Sequence, residues 1–340
     1  MWYDKTREVF QSMFNGVGLS YSSAQVEQVL QLLIHYECRD AITQGVMDIT
    51  KPVLVAGITE QAHQFLAFTA YLQSAFMRPL KLERTDVIDP KSLNLAALKQ
   101  CVKVLGMLDE IKPKSKEYPR VIASGGFQFR LEGRLQYFIK LIKSGEITGV
   151  KHLLVSVGDR ELADFESAKQ QGAKTEADMG KVVVKELTEK HPEIFKVISV
   201  DFHNALRKPD DIRARTDDAA EQTAEMYVQE TAVLLITDQP FCQYQHETFQ
   251  IPFSPTPVET VGEAASADYN GWNFCDSFSR YMYSSARRYL MVDCKFDAKK
   301  AGDSINEYKK HYTCDSSLYF EGTVRSELLV AKVEDLSLRK

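Results

Sequence analysis

Four short apolar runs constrain the fold of this chain more than any other feature: "RVIAS" (120–124), "HLLVSV" (152–157), "FKVISV" (195–200) and "AVLLIT" (232–237). Each is rich in β-branched residues and almost uninterrupted, as strands buried on both faces of a parallel sheet must be. Segments of helical period separate them, and parallel strands need such crossovers. The runs predict an α/β fold: a Rossmann-like three-layer parallel sheet over 114–258, with a mainly helical region at 1–113 and another at 259–340 packed on the core.

Each run ends at Gly or Asp: Gly125 and Gly126, Gly158 and Asp159, Asp201, and Asp238. In an open α/β sheet the carboxyl ends of the strands form the edge where ligands bind, so these endings converge on one crevice.

The N-terminal region reads as helices. "SSAQVEQVLQLLIHYECRDAI" places Val26, Val29, Leu30, Leu33 and Ile34 at spacings of three and four after a capping Ser pair. "EQAHQFLAFTAYLQSAF" and "KSLNLAALKQCVKVLGML" are helical too, "PVLVAGI" suits either a strand or a helix start, and "DEIKPKSKEYP" reads as a linker. In the tail, "NFCDSFSRYMYSSARRYL" puts Phe274, Phe278, Tyr281 and Tyr289 near one helical face, a packing stripe rather than a cofactor box.

Composition bounds the function. A net charge of -5 offers no basic surface for a nucleic-acid backbone, so nucleic acid is not an expected partner. The charged N-terminus is not a signal peptide and no run is apolar enough to span a membrane, which points to a cytoplasmic protein or one secreted without a signal. The six cysteines lie far apart without metal-ligand spacing, which favours structural thiols and no metal site.

The candidate site residues cluster at the strand ends. Gly125 and Gly126 let the backbone approach a ligand and turn amides toward an anion at the next helix start. Arg130 and Arg134, one turn apart on that helix, either reach an anionic group or form a solvated face. "VSVGDRE" adds Gly158 and then Asp159, Arg160 and Glu161, which either belong to the same edge or form a turn with a solvated charge run. In "TEADMGKVVVKEL", Thr175 and Asp178 are spaced as a capping box, which leaves Glu176 for another role.

"RARTDDAAEQTAEMY" spaces Asp218 and Glu221 as an N-cap and N3 pair, which leaves Asp217 and Asp238 unexplained by capping. Thr237, Asp238 and Gln239 close the last run. Cys242 stands on the following helical turn, either activated by that helix start or buried and inert. There is no G-x-G-x-x-G, Walker A or G-x-S-x-G motif.

In their order, "VIASGGFQFRLEGRLQYFIKLIKSG", "HLLVSVGDRE", "TEADMGKVVVKEL", "DDAAEQTAEMY" and "LLITDQPF" resemble the YdcF/SanA/ElyC-like bacterial domain family, a domain of unknown function, over about 118–250. The likeness is to its larger YdcF-like members without a membrane anchor. It implies a Rossmann-like sheet with a polar pocket at its carboxyl edge, and a nucleotide or S-adenosylmethionine as ligand or cofactor. It matches Gly125, Gly126, Arg130 or Arg134, Gly158, Glu176, Asp218, Glu221, Gln222 and Thr237 to the family's positions. Ala219 departs from a Thr, Phe241 or Cys242 from a His, and Gln245 from an Arg. The expectation is a small-molecule-binding protein, as a transferase or hydrolase with Glu176, Asp218 and Glu221 as its working acids. The alternative is a non-catalytic interaction protein that keeps the fold.

Overall fold

The computed structural model describes residues 2–35, 56–76, 95–208, 214–226, 232–267 and 269–312. The chain divides into two compact units, Asp109–Ala265 and the combination of Met1–Leu108 with Ser266–Lys340.

The Asp109–Ala265 unit holds one five-stranded sheet, all parallel. Its strands are β1 (Arg120–Ser124), β2 (His152–Gly158), β3 (Ser199–Ala205), β4 (Val233–Asp238) and β5 (Val258–Glu263), in the order β3-β2-β1-β4-β5. Counting the helices outside this unit in chain order, its own are α5 (Gln128–Lys143), α6 (Glu176–Lys190), the single turn α7 (Pro192–Phe195), α8 (Thr216–Met226) and α9 (Cys242–Phe253).

Alternate residues of each strand point to opposite faces. Val121, Ala123, Leu153, Val155, Val157, Leu234 and Ile236 are buried with Leu131, Leu135 and Phe138 of α5 and with Met179 and Val183 of α6. Ile122, Leu154, Val233 and Leu235 are buried with Ala220 and Ala224 of α8 and with Phe249 and Phe253 of α9. Helices after β1 and β2 therefore cover one face and those after β3 and β4 the other, as one hand of crossover produces when the strand order reverses. The reversal lies between β1 and β4, which is where ligands sit in sheets of this kind.

The three-layer α/β reading holds, and three details differ from it. The sheet extends past residue 258, because β5 adds "VETVGE" on the far side of β4 and Ile111 pairs across to Gly262. The residues after Asp109 are thus docked by that bridge. β3 begins at Ser199 and runs to Ala205, so Asp201 sits in mid-strand opposite Leu154 and faces solvent instead of ending the strand.

Among the described residues the second unit holds the helices α1 (Trp2–Gly16), α2 (Ser23–His35), α3 (Glu60–Phe76), α4 (Leu95–Val104), α10 (Gly271–Arg288) and α11 (Ala298–His311). Phe10, Phe14, Phe65 and Phe68 pack edge to face in its core. α10 packs along α3, so the C-terminal helices share a unit with the N-terminal ones. The stripe residues Phe274, Phe278, Tyr281 and Tyr289 are all buried. α10 is enclosed on its other sides too, and its Asp276, fully buried, is held by Arg280 at 3.0 Å. Residues 52–55 of "PVLVAGI" lie outside the described residues.

Candidate functional site

The turn after β1 is held by close approach. Gly125 N donates to the Ser156 carbonyl at 2.6 Å, and a Cβ on Gly125 would come within 2.8 Å of Val157 Cα and 2.9 Å of that carbonyl. Gly126 has φ +147°, which favours glycine. Both glycines are needed for this geometry.

The amides of this turn face a side chain of the protein itself. Gly126 N donates to Glu176 Oε1 at 2.8 Å, and Gly158 N donates to the same oxygen at 3.2 Å. Thr175 and Asp178 form the capping box of α6, which leaves Glu176 to turn inward. Arg160 Nε donates to Glu176 Oε2 at 2.9 Å. Arg160 also reaches Glu166 through Nη1 at 2.7 Å and Nη2 at 3.0 Å. Glu166 then accepts the Ala163 N–H at 2.8 Å and, at 2.8 Å, the N–H of Gln128, the first residue of α5.

Burial and charge act in opposite directions on the two acids. Burial pushes the Glu176 carboxyl above its usual pKa, against the pull of Arg160 and the Gly158 and Gly126 amides. Burial pushes Glu166 up as well, but Arg160 and the Ala163 and Gln128 amides outweigh it and hold that carboxyl below its usual value.

Arg130 and Arg134 are both buried, which removes the solvated-face reading. Arg134 donates to Asp238 Oδ1 through Nε at 2.6 Å, to the Ser124 carbonyl through Nη1 at 2.9 Å and to the Gly125 carbonyl. Its fork therefore locks the end of β1 to the end of β4. The Arg130 guanidinium lies 3.8 Å from Asp238 Oδ2, 4.3 Å from the centre of the Phe241 ring and 5.5 Å from that of Phe129. Stacking on aromatic faces suits guanidinium.

The remaining predicted residues have other partners. Asp218 is buried and accepts the Arg215 N–H at 2.9 Å and an ion pair from Lys208 at 2.8 Å. α8 begins at Thr216 after Arg215, so Asp218 occupies the N3 position, where a carboxylate reaches back to the N-cap N–H. The expected N-cap and N3 pair is thus displaced by one turn, and Glu221 lies half-buried beyond it. Gln222 bonds both backbone groups of Leu206, at 3.0 and 3.1 Å. Asp159 pairs with Arg207 at 3.4 Å. Gln239, fully buried, donates to the Asp109 carbonyl at 3.1 Å.

Two features escaped sequence reasoning. On the face covered by α8 and α9, His203, Ser156 and Ser124 stand in register across β3, β2 and β1. The β1–β4 register continues this row to Thr237. Ser156 and His203 both bond Thr223 at 3.1 Å, and Ser124 donates to Gln245 at 2.9 Å. Thr237 Oγ1 is buried without a hydrogen-bond partner among the described residues. The signal is one polar residue near the carboxyl end of each of these four strands, visible only once the strands are aligned.

The second feature is aromatic. Phe127 stacks on Phe129 at 5.9 Å and meets Phe165 edge-on at 5.2 Å, while Phe129 and Phe165 remain 52% and 56% exposed. The "FQF" after the glycine pair was its trace in the sequence. A surface hollow of about 470 Å³ lies beside the β2–α6 connection, lined by Glu161, Lys169, Lys174 and Thr175, and involves neither Arg130 nor Asp238.

Cys242 is buried against Gly262, and burial together with the Asp238 charge raises its thiol well above the usual pKa. Among the described residues no group of three or more His, Cys, Asp or Glu could hold a metal ion, and no helix is long and apolar enough to cross a membrane. No protein-family model and no curated protein matches the chain, so the YdcF/SanA/ElyC-like resemblance rests on its quoted residues alone.

Proposed function

We propose that the Asp109–Ala265 unit binds an adenosine-containing small molecule, of the S-adenosylmethionine or nucleotide kind, at the carboxyl edge between β1 and β4. The observation that carries this reading is the exposed Phe129 ring beside Arg130, with Arg130 in turn 3.8 Å from Asp238 at the strand-order reversal. An exposed aromatic face offers a base a stacking surface worth about 1–3 kcal/mol. Asp238, whose side chain keeps 17% of its surface open, accepts hydrogen bonds from ribose hydroxyls or an amine. Glu176 and Asp218 are tied to cations and backbone amides of the chain, an arrangement suited to positioning loops.

Thermal unfolding with adenosine, S-adenosylmethionine, ATP and a divalent cation, each alone, tests the reading. A ligand at 100 times its dissociation constant should stabilise the protein by about 2.7 kcal/mol. Phe129→Ala should remove most of that gain. If no adenosine-containing compound raises the unfolding temperature, the reading fails. The two half-exposed rings would then favour the alternative, a non-catalytic interaction protein.

A further inference from the structure

We propose that Glu166 is a built-in occupant of the anion position at the start of α5, and that it restricts the ligand of the proposed site to adenosine-type compounds without a phosphate there. The inference rests on the adenosine reading for its ligand and on the geometry of Glu166 for its mechanism.

In sheets of this order, the helix after the first strand presents unpaired amides to a phosphate. Here Phe127 caps α5 without a side-chain hydrogen bond, and the first helical amide, Gln128 N, is taken by Glu166 Oε1 at 2.8 Å. Glu166 is 2% exposed. Its other partners are those a bound phosphate would seek: both Nη atoms of Arg160, at 2.7 and 3.0 Å, and the Ala163 N–H at 2.8 Å. The amides of Gly126 and Gly158 are claimed by Glu176 in the same way.

Both of these donor sets thus already hold a carboxylate. A phosphate entering here would have to displace Glu166 or lie against it, because the Arg160 guanidinium that would balance its charge is already shared between Glu166 and Glu176. Gln128 fastens the arrangement, since its side chain bonds the Ala168 N–H at 2.8 Å and Ser167 Oγ at 2.9 Å and so ties the Glu166 loop to α5. A ligand with a cationic or neutral tail avoids this repulsion, which favours S-adenosylmethionine or adenosine over a nucleoside di- or triphosphate.

The test compares wild type with Glu166→Ala, using inorganic pyrophosphate, adenosine and ADP at matched ionic strength. Pyrophosphate should raise the unfolding temperature of Glu166→Ala and leave wild type unchanged, and wild type should bind adenosine at least tenfold more tightly than ADP. Equal response of both proteins to pyrophosphate, or tighter binding of ADP than adenosine by wild type, overturns the proposal. If wild type ignores adenosine while pyrophosphate still rescues the variant, the adenosine reading falls and the role of Glu166 stands. Should Glu166→Ala fail to fold, Glu166→Gln keeps the acceptor oxygen and removes only the charge. Pyrophosphate should raise the unfolding temperature of Glu166→Gln as well, and a variant that responds no more than wild type counts against the proposal.

Discussion

Arg160 Nε lies 2.9 Å from Glu176 Oε2, so a guanidinium from the loop after β2 holds the carboxylate that accepts the Gly126 N–H across the sheet edge. The same guanidinium holds Glu166, which makes one cation the partner of two buried acids.

Removing that cation should cost more than neutralising either acid. Arg160→Met leaves two carboxylates buried without their partner, and the expected loss is about 3–5 kcal/mol. Glu176→Gln keeps an oxygen for the Gly126 and Gly158 amides, and burial already disfavours the charge it removes, so the expected loss is about 1–3 kcal/mol. Urea unfolding of both variants checks the order. A loss for Arg160→Met no larger than that for Glu176→Gln would show that the network does not hold the edge.

Two glycines near the site should respond in opposite directions to alanine. At Gly125 the new Cβ meets Glu176 and, at 2.8 and 2.9 Å, the backbone of Val157 and Ser156, which cannot yield without moving β2. The expected loss is at least about 2 kcal/mol, the scale of overpacking a rigid site. At Gly133, inside α5, nothing lies within 4 Å, so alanine should stabilise by about 0.5–1 kcal/mol through helix propensity. Denaturant midpoints decide it, and a tolerated Gly125→Ala would refute the close packing of the turn.

His203 makes stability depend on pH. Burial lowers its pKa from the usual 6.5, so between the two values the unfolded chain binds a proton that the folded one does not. Stability from this group is therefore fully present above 6.5 and is lost as pH falls through 6.5 toward the folded value. Glutamine at 203 can still bond Thr223 but cannot take up that proton. Unfolding midpoints measured between about pH 5 and 8 should fall with acid more steeply for wild type than for His203→Gln. Parallel curves would mean that His203 titrates alike in both states.

The hydroxyl of Thr237 separates an apolar role from a binding one. Because Thr237 Oγ1 is buried without a partner among the described residues, Thr237→Val should be neutral or stabilising. Ser156→Ala leaves Thr223 with one partner fewer and should cost about 1 kcal/mol. Calorimetric unfolding of the two variants tests the contrast. A clear loss of stability for Thr237→Val would mean that its hydroxyl is satisfied after all.

The strands were legible because a parallel sheet buried on both faces demands unbroken apolar runs, and β1, β2 and β4 fall within a residue of "RVIAS", "HLLVSV" and "AVLLIT". β5 was hidden because it carries Glu259 and Glu263 at positions that reach solvent. β3 was misplaced because an edge strand alternates, so its exposed Asp201 looked like a strand end. The inward turn of Glu176 is legible by counting what the Thr175 and Asp178 capping box leaves over. Glu166 gave no signal, since "ADFESAK" reads as a solvated loop and only contacts with Gln128 and Arg160 bury it. Arg160 reads equally as an edge residue or as part of a solvated charge run, because local sequence does not show which loop charge a distant helix start will claim.

Cys242 stands on the first turn of α9, where a helix start could in principle activate a thiol. The structure gives it the opposite environment. Its side chain is buried, Asp238 adds a negative charge, and the Sγ packs so closely on β5 that a Cβ on Gly262 would sit 2.5 Å from it. A thiol held protonated and covered does not react. Cys101 and Cys275 are buried as well, whereas Cys294 is half-buried at the end of the turn after α10. Brief alkylation of the native protein followed by peptide mapping should therefore label Cys294 ahead of Cys101, Cys242 and Cys275. Labelling of Cys242 first, with loss of ligand-induced stabilisation, would instead place a reactive thiol in the crevice between β1 and β4.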